Sequence, residues 1–260
     1  MSSSNEINSI VRAAEILKYL SNGISKMTEI SRRLEVNKAT VHQILKTLES
    51  KGLVSQDPAS RKYYLGPLIQ ALAENPMMVH KIVSRLALPE MERLRDLFNE
   101  MVVLQIRRGG QRLVLEKVAS SQTFSYFPEQ KELAPIHAGA AGKVLLSQMH
   151  SLQLANLLER LELNKVSINT VTDKKKLALE LEEIRTKGYS ISISETVTNA
   201  AAIAVPLKNY TCPVALAIVG SDDQIIERKE HILNELIKSG EHLSIKMLEV
   251  TGIKNAKNNI

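Results

Sequence analysis

Apolar residues recur at helical spacing through the first fifty positions, and then in short bursts at strand spacing. Ile10, Ala13, Ala14, Leu17 and Leu20 fall on one face of a helix that Asn8 or Ser9 can cap and that Asn22-Gly23 ends. A short helix carrying Ile30 and Leu34 follows. A longer one starts at Asn37 and places Val41, Ile44, Leu45 and Leu48 at the i, i+3, i+4, i+7 spacing of a buried stripe. Asn37 suits the N-cap because its side-chain oxygen can accept from free amides two or three residues on. Gly52 suits the left-handed residue that closes the helix. Residues 53–55 and 62–65 then read as strands around the turn Asp57-Pro58-Ala59-Ser60. Three helices and a hairpin over residues 1–67 predict a winged helix-turn-helix.

Beyond Gly66-Pro67 a helix is expected over 68–74, a break at Asn75-Pro76, and a long helix over 78–100 that Pro89 divides or kinks. Residues 68–78 are read as a linker. From Met101 the pattern turns α/β. Strands at 102–106 and 113–118 flank the turn Arg107-Arg108-Gly109-Gly110, and 124–127 reads as an edge strand. Helices are expected over 137–149 and 152–161, and another over 173–188, capped by Asp173 and ended by Gly188. Strands follow at 189–194, 202–207 and 214–219. Ser221-Asp222-Asp223 then opens a terminal helix to about 248, interrupted near Gly240. The expectation is an α+β chain with a second domain over 79–250 and a frayed tail over 251–260.

Charge refines this picture. Residues 1–70 hold ten Lys/Arg and six Asp/Glu, a net +4 out of the chain's +6. Such a concentration is what a phosphate-facing surface requires. The exposed face of the second helix of the pair shows Lys38, Ala39, His42, Gln43 and Lys46, polar and free of acids near a helix N-terminus, which suits entry into the major groove of double-stranded DNA. Thr40 suits a phosphate or cap bond. Thr28 opens the short helix, and Arg61 and Lys62 stand beside the hairpin tip, where they can hold backbone phosphate.

Other chemistries find little support. Gly139–Lys143 lacks the first glycine and the hydroxyl residue of a phosphate-binding loop, with His137 and Val144 in those places. The six histidines show no H-x-x-x-H spacing, so no metal site and no cofactor are expected. His137 reads as a packed histidine, and Cys212, the single cysteine, as a small buried hydrophobe. One cysteine, no apolar run of membrane-spanning length and no secretory leader point to a cytoplasmic protein that is not an enzyme.

Taken in order, SIVRAAEILKYL, NKATVHQILKTLESKGLV, KYYLG, PIHAGAAGKVLL, LELEEIRTKGYSISISE, IAVPL and VALAIVG resemble the IclR family of bacterial transcriptional regulators. The resemblance spans roughly Ser9 to Gly220. It implies a winged-helix DNA-binding domain, a linker helix and a GAF/PAS-like effector domain, assembled as a homodimer or homotetramer. It also implies a regulator, expected to repress, of a small-molecule catabolic operon. In that family an acidic effector is held at the start of the small-residue helix, here Gly139, Ala140 and Ala141. The other pocket positions fall on Ser192, Glu195, Ala202, Ala217 and Val219, of which the family's commonly polar ones keep a hydrogen-bonding side chain here only at Ser192. Gln43 stands where the family usually has Arg, and Asn199 where a glycine is usual. Two alternatives stand beside this reading: a DNA-anchored protein-interaction module without an effector, and a small-molecule enzyme on the C-terminal domain.

Overall fold

The computed structural model describes residues 6–74, 76–121 and 133–251. The strand expected at 124–127 and the tail from 252 lie outside these residues. The chain divides into two compact units, Met1–Val79 and His80–Ile260.

The first unit contains α1 (Asn8–Ser21), α2 (Met27–Leu34), α3 (Lys38–Ser50), β1 (Val54–Gln56), β2 (Tyr63–Leu65), α4 (Pro67–Ala73) and α5 (Pro76–Val79). Its core joins Ile16 and Leu20 of α1, Ile30 of α2, Val41, Leu45 and Leu48 of α3, and Val54 and Tyr63 of the hairpin. The α1 stripe is rotated from expectation: Ile16 is fully buried, whereas Ile10 is 63% exposed. The helix also starts earlier than expected. Ile7 is the extended residue before it, so Asn8 is already helical and neither Asn8 nor Ser9 caps it. Asn37 does cap α3, its side chain accepting from the Thr40 amide at 2.8 Å. Behind α3 the chain crosses itself at two glycines. A Cβ on Gly66 would sit 2.2 Å from the Gly52 carbonyl oxygen, and the Leu68 amide donates to that same oxygen. The base of the hairpin is thereby tied to the chain at the end of α3.

The second unit is built on a six-stranded, wholly antiparallel sheet. Its strands are β3 (Met101–Arg108), β4 (Gln111–Val118), β5 (Leu133–Pro135), β6 (Ser190–Ile193), β7 (Ala200–Leu207) and β8 (Val214–Ser221), in the order β5-β4-β3-β8-β7-β6. α6 (Lys81–Phe98), α8 (Ser151–Arg160) and α10 (Asp222–Glu227) complete it with α7 (Ala140–Ser147), α9 (Lys174–Lys187) and α11 (Lys229–Thr251). α7 packs on one face, against β3, β6, β7 and β8, and α9 packs on α7. Alternation along β7 separates the faces: Ala204 joins the α7 core, while Val205 meets Gly240 of α11.

Three expectations are corrected. Gly240 does not interrupt α11; its missing side chain lets the helix approach Val205 and Pro206, and the break falls at Arg228. Pro89 does not divide α6; it lies inside the helix, on its exposed side. The helix instead parts at His80, between α5 and α6. β5 was not expected: three residues ending in proline carry no periodicity.

Candidate DNA-reading surface and effector pocket

On α3 the buried stripe turns the other face outward, and Lys38, Ala39, His42, Gln43 and Lys46 are all exposed; Thr40 is half-buried beside the cap. Thr28 is exposed in the first turn of α2, Arg61 is exposed in the wing, and Lys62 is half-buried. Asp57 organises the wing tip by accepting from the Ala59 and Ser60 amides and the Ser60 hydroxyl, which together hold its carboxyl below the usual range. Arg61 takes a left-handed conformation (φ 57°) at the far side of that turn. The face is less free of acid than the sequence implies. The Lys46 ammonium donates to Glu49 at 3.0 Å, and Glu49, also bonded to the Gln56 amide at 3.3 Å, has its carboxyl drawn down by that lysine. Any anion approaching Lys46 would compete with Glu49 for its ammonium.

In the second unit, the residues expected to form a pocket do come together. A cavity of about 50 Å³ is lined by Gly139, Ala140, Ala141, Ser192, Ala202, Ala217 and Val219, together with Gln105, Arg112 and the segment containing Thr196 and Val197. Strand register explains the wall. Ser192 pairs with Ala202 and Ala202 with Val219, so three neighbouring strands present one row to the start of α7. Two of the expected amides are engaged within the protein: Gly139 donates to Glu195 Oε2 at 3.1 Å and Ala140 to Ser192 Oγ at 3.0 Å. Glu195 does not line the cavity. It is buried and held by Lys143 Nζ at 2.5 Å, and Lys143, itself 3% exposed, also reaches Glu180 at 2.9 Å. A protein carboxylate thus occupies part of the positive end of α7.

Arg112 and Gln105 were not anticipated. Both are buried, and Arg112 Nη1 donates to Gln105 Oε1 at 3.0 Å. Their signal was available but weak: polar residues at strand positions that should face a core. His137 is packed, its Nε2 bonded to the Asn164 carbonyl at 3.0 Å, and it does not line the cavity. Asn199 adopts a left-handed conformation (φ 61°), so the geometry that a glycine would supply is kept without one.

The Cys212 thiol is pushed up to about 11 by burial. It is protonated at neutral pH, so alkylation of the folded protein by iodoacetamide should run at least ~100-fold slower than in denaturant. Equal rates would contradict this environment. Among the described residues no helix is long and apolar enough to cross a membrane.

Comparison with known proteins agrees with this division. Residues 9–58 match the IclR helix-turn-helix domain, and residues 77–245 match the bacterial transcriptional regulator IclR C-terminal domain. The chain is 30% identical to the HTH-type transcriptional regulator BhcR of Paracoccus denitrificans, over 83% of this chain and 77% of that one. It is similar to the crystal structure of an IclR transcriptional regulator from Alicyclobacillus acidocaldarius, with 27% identity, TM-score 0.58, and 92% and 98% of the two chains covered. An IclR homologue from Microbacterium hydrocarbonoxydans, solved in complex with 4-hydroxybenzoate, shares the fold at 21% identity and TM-score 0.61, covering 94% and 100%. With a helix-turn-helix unit, an α/β unit and family matches over both, the chain belongs to the IclR family of bacterial transcriptional regulators, which are not enzymes.

Proposed function

We propose that this regulator represses a small-molecule catabolic operon from the cytoplasm, and that a small acidic effector in the second unit changes its affinity for operator DNA. The observation that carries the DNA half is the exposed, basic face of α3, set by the Asn37 cap and flanked by the Arg61 wing. Lys38, His42, Gln43 and Lys46 meet the major groove, Ala39 packs beside the bases, Thr28 and Thr40 bond phosphate, and Arg61 and Lys62 anchor the wing. Gln43 pairs with adenine better than with guanine, so an operator richer in A·T is expected at that step. Exposed Ile10 and Val11 on α1, with exposed Ile7 just before it, support assembly into a dimer or tetramer, with residues 68–78, at the end of the first unit, as the linker. A dimer pairs two reading helices on half-sites about one or more helical turns apart.

The effector half rests on the cavity at the start of α7 and on the 4-hydroxybenzoate found in a structural relative. Effector coupling of ~1–3 kcal/mol would change operator affinity roughly 5- to 150-fold. Gel shift on the upstream intergenic DNA of the protein's own operon is the direct test. Failure to find salt-sensitive, sequence-preferring binding would sink the proposal. Transcription in vitro gives the sign: it falls with added protein if the regulator represses.

Lys46 and Glu49 give a sharper check. Lys46→Ala should weaken all sequences alike and shrink the salt slope by about one unit. Glu49→Gln, which frees Lys46, should raise affinity roughly two- to fivefold, the size of an exposed ion pair. If Lys46→Ala changes base preference instead, Lys46 reads bases.

A further inference from the structure

We infer that residues 196–198 form a lid over the cavity, that Thr170 latches it shut, and that the lid must lift before a ligand of effector size can enter. This rests on the reading of the cavity as an effector site and adds how that site opens. A volume of about 50 Å³ is well below the roughly 300–1,000 Å³ of pockets that enclose small molecules. Part of the wall therefore has to move. Ala202, Ala217 and Val219 lie in paired strands, and Ala140 and Ala141 open α7. Apart from Gly139, which leads into α7, the lining residues outside any helix or strand are Thr196 and Val197.

The segment is built to open locally. It lies between two left-handed residues that are not glycine, Ser194 at φ 51° and Asn199 at φ 61°. Such a conformation persists only where the surroundings fix it. Among the described residues, the amides of Thr196, Val197 and Thr198 donate to no protein acceptor. Thr196 meets the start of α7 by packing, its Cγ2 lying 3.0 Å from where a Cβ on Gly139 would stand. Irregular backbone with few hydrogen bonds opens at lower cost than the sheet and helices around it. Glu195, just before the lid, is the fixed pivot, since Lys143 and the Gly139 amide hold its carboxylate.

What holds the lid down is a loop. The chain between α8 and α9 has no helix or strand, and its bonds converge on this segment. The Thr170 hydroxyl donates to the Glu195 carbonyl at 2.7 Å, fixing the peptide that leads into Thr196. The Asn169 amide donates to the Ser194 carbonyl at 3.1 Å, and its side-chain nitrogen to the Ile193 carbonyl at 3.0 Å. On the far side the Ser167 and Thr198 hydroxyls lie 3.4 Å apart. Thr170 is the hub of the loop: it is buried, and its oxygen accepts from the Val166 and Ser167 amides at 3.1 and 2.7 Å. The Ser167 carbonyl, 3.1 Å from the same hydroxyl, offers its proton a second acceptor, so the latch can release Glu195 without stranding a buried donor. His137 Nε2 moors the loop by donating to the Asn164 carbonyl at 3.0 Å.

The test uses the full-length protein carrying Ala217→Cys, which places a thiol on the fully buried cavity wall. Iodoacetamide alkylation of that thiol and of Cys212 is followed separately by mass spectrometry of their peptides. The introduced thiol should react at least roughly tenfold slower than in denaturant, at a rate that stays level between zero and about 1 M urea, as local opening requires. Thr170→Val should speed it roughly three- to tenfold, the size of one hydrogen bond, while Thr170→Ser, which keeps the hydroxyl, stays within about twofold. Asn169→Ala, at an exposed position, should speed it at least about twofold and serves if Thr170→Val fails to fold. Cys212 should keep its rate in every variant. Unchanged alkylation of the introduced thiol in the folded latch variants overturns the latch, and so does an equal rise at Cys212, which marks a general loss of stability. A denatured-like rate without latch variants, or a rate that climbs with urea as steeply as global unfolding, overturns the lid. No ligand takes part, so these failures leave the effector reading standing, and a failed search for an effector leaves the lid standing.

Discussion

Replacing Lys143 by Met should lower the unfolding free energy of the C-terminal unit by about 3–5 kcal/mol, the cost of stranding buried charge. Lys143 is buried between Glu195 at 2.5 Å and Glu180 at 2.9 Å, and Glu195 is itself only 9% exposed. Met preserves the length and apolar stem of lysine, so the loss reports charge and not a cavity. Without the ammonium, the buried Glu195 carboxylate and the partly exposed Glu180 carboxylate lose the cation that both share. The prediction separates charge from packing through a double variant. Lys143→Met with Glu195→Gln removes one of the stranded charges and should recover at least about 1–2 kcal/mol, a coupling expected only of groups in contact. Denaturant unfolding followed by circular dichroism measures both. A loss below 1 kcal/mol in the single variant would mean that the network is solvated and contributes little.

Gly142→Ala should be harsher still, abolishing soluble expression or costing more than about 4 kcal/mol. A Cβ there would stand 2.0 Å from the Ile136 carbonyl oxygen and 2.9 Å from its carbon. Those atoms are backbone, held just after β5, so relief requires α7 to lift from the sheet and the cavity wall to open. Gly110→Ala is the control. Its Cβ would meet only Leu161 Cδ1 at 3.1 Å, a side-chain tip that can rotate, and the cost should stay under about 1 kcal/mol. Comparable losses in the two variants would refute the account of α7 as a helix fixed by backbone contact.

Much of this architecture was legible in the sequence, and the divisions have physical reasons. The α3 stripe, the Asn37 and Asp173 caps and the wing turn are local: each depends on residues within one or two turns of one another, and each appears in the structure. Pairing of β3 with β4 across a two-glycine turn is equally local. The pairing of β3 with β8 is not, since Val103 and Ala217 are brought together only by the whole fold. The pocket row Ser192, Ala202 and Val219 was found through family resemblance, because nothing in three separate strands announces that they share a face. Arg112 and Gln105 escaped because β3 and β4 shift register between Leu104 and Gln105, a bulge that alternation alone does not reveal. The reach of Lys46 to Glu49 depends on rotamers, and the engagement of the Gly139 amide by Glu195 on a contact across 56 positions.

The register of β6, β7 and β8 has an evolutionary consequence. Three side chains of the cavity wall, Ala202, Ala217 and Val219, project from paired strands whose ladder hydrogen bonds involve backbone alone. Exchanging them for serine, threonine or cysteine changes volume and polarity in single-methyl or single-hydroxyl increments while the ladder is untouched. Such a wall lets the shape and polarity of the cavity change by small steps on one scaffold, and it marks these three positions as the library for altering what the cavity admits.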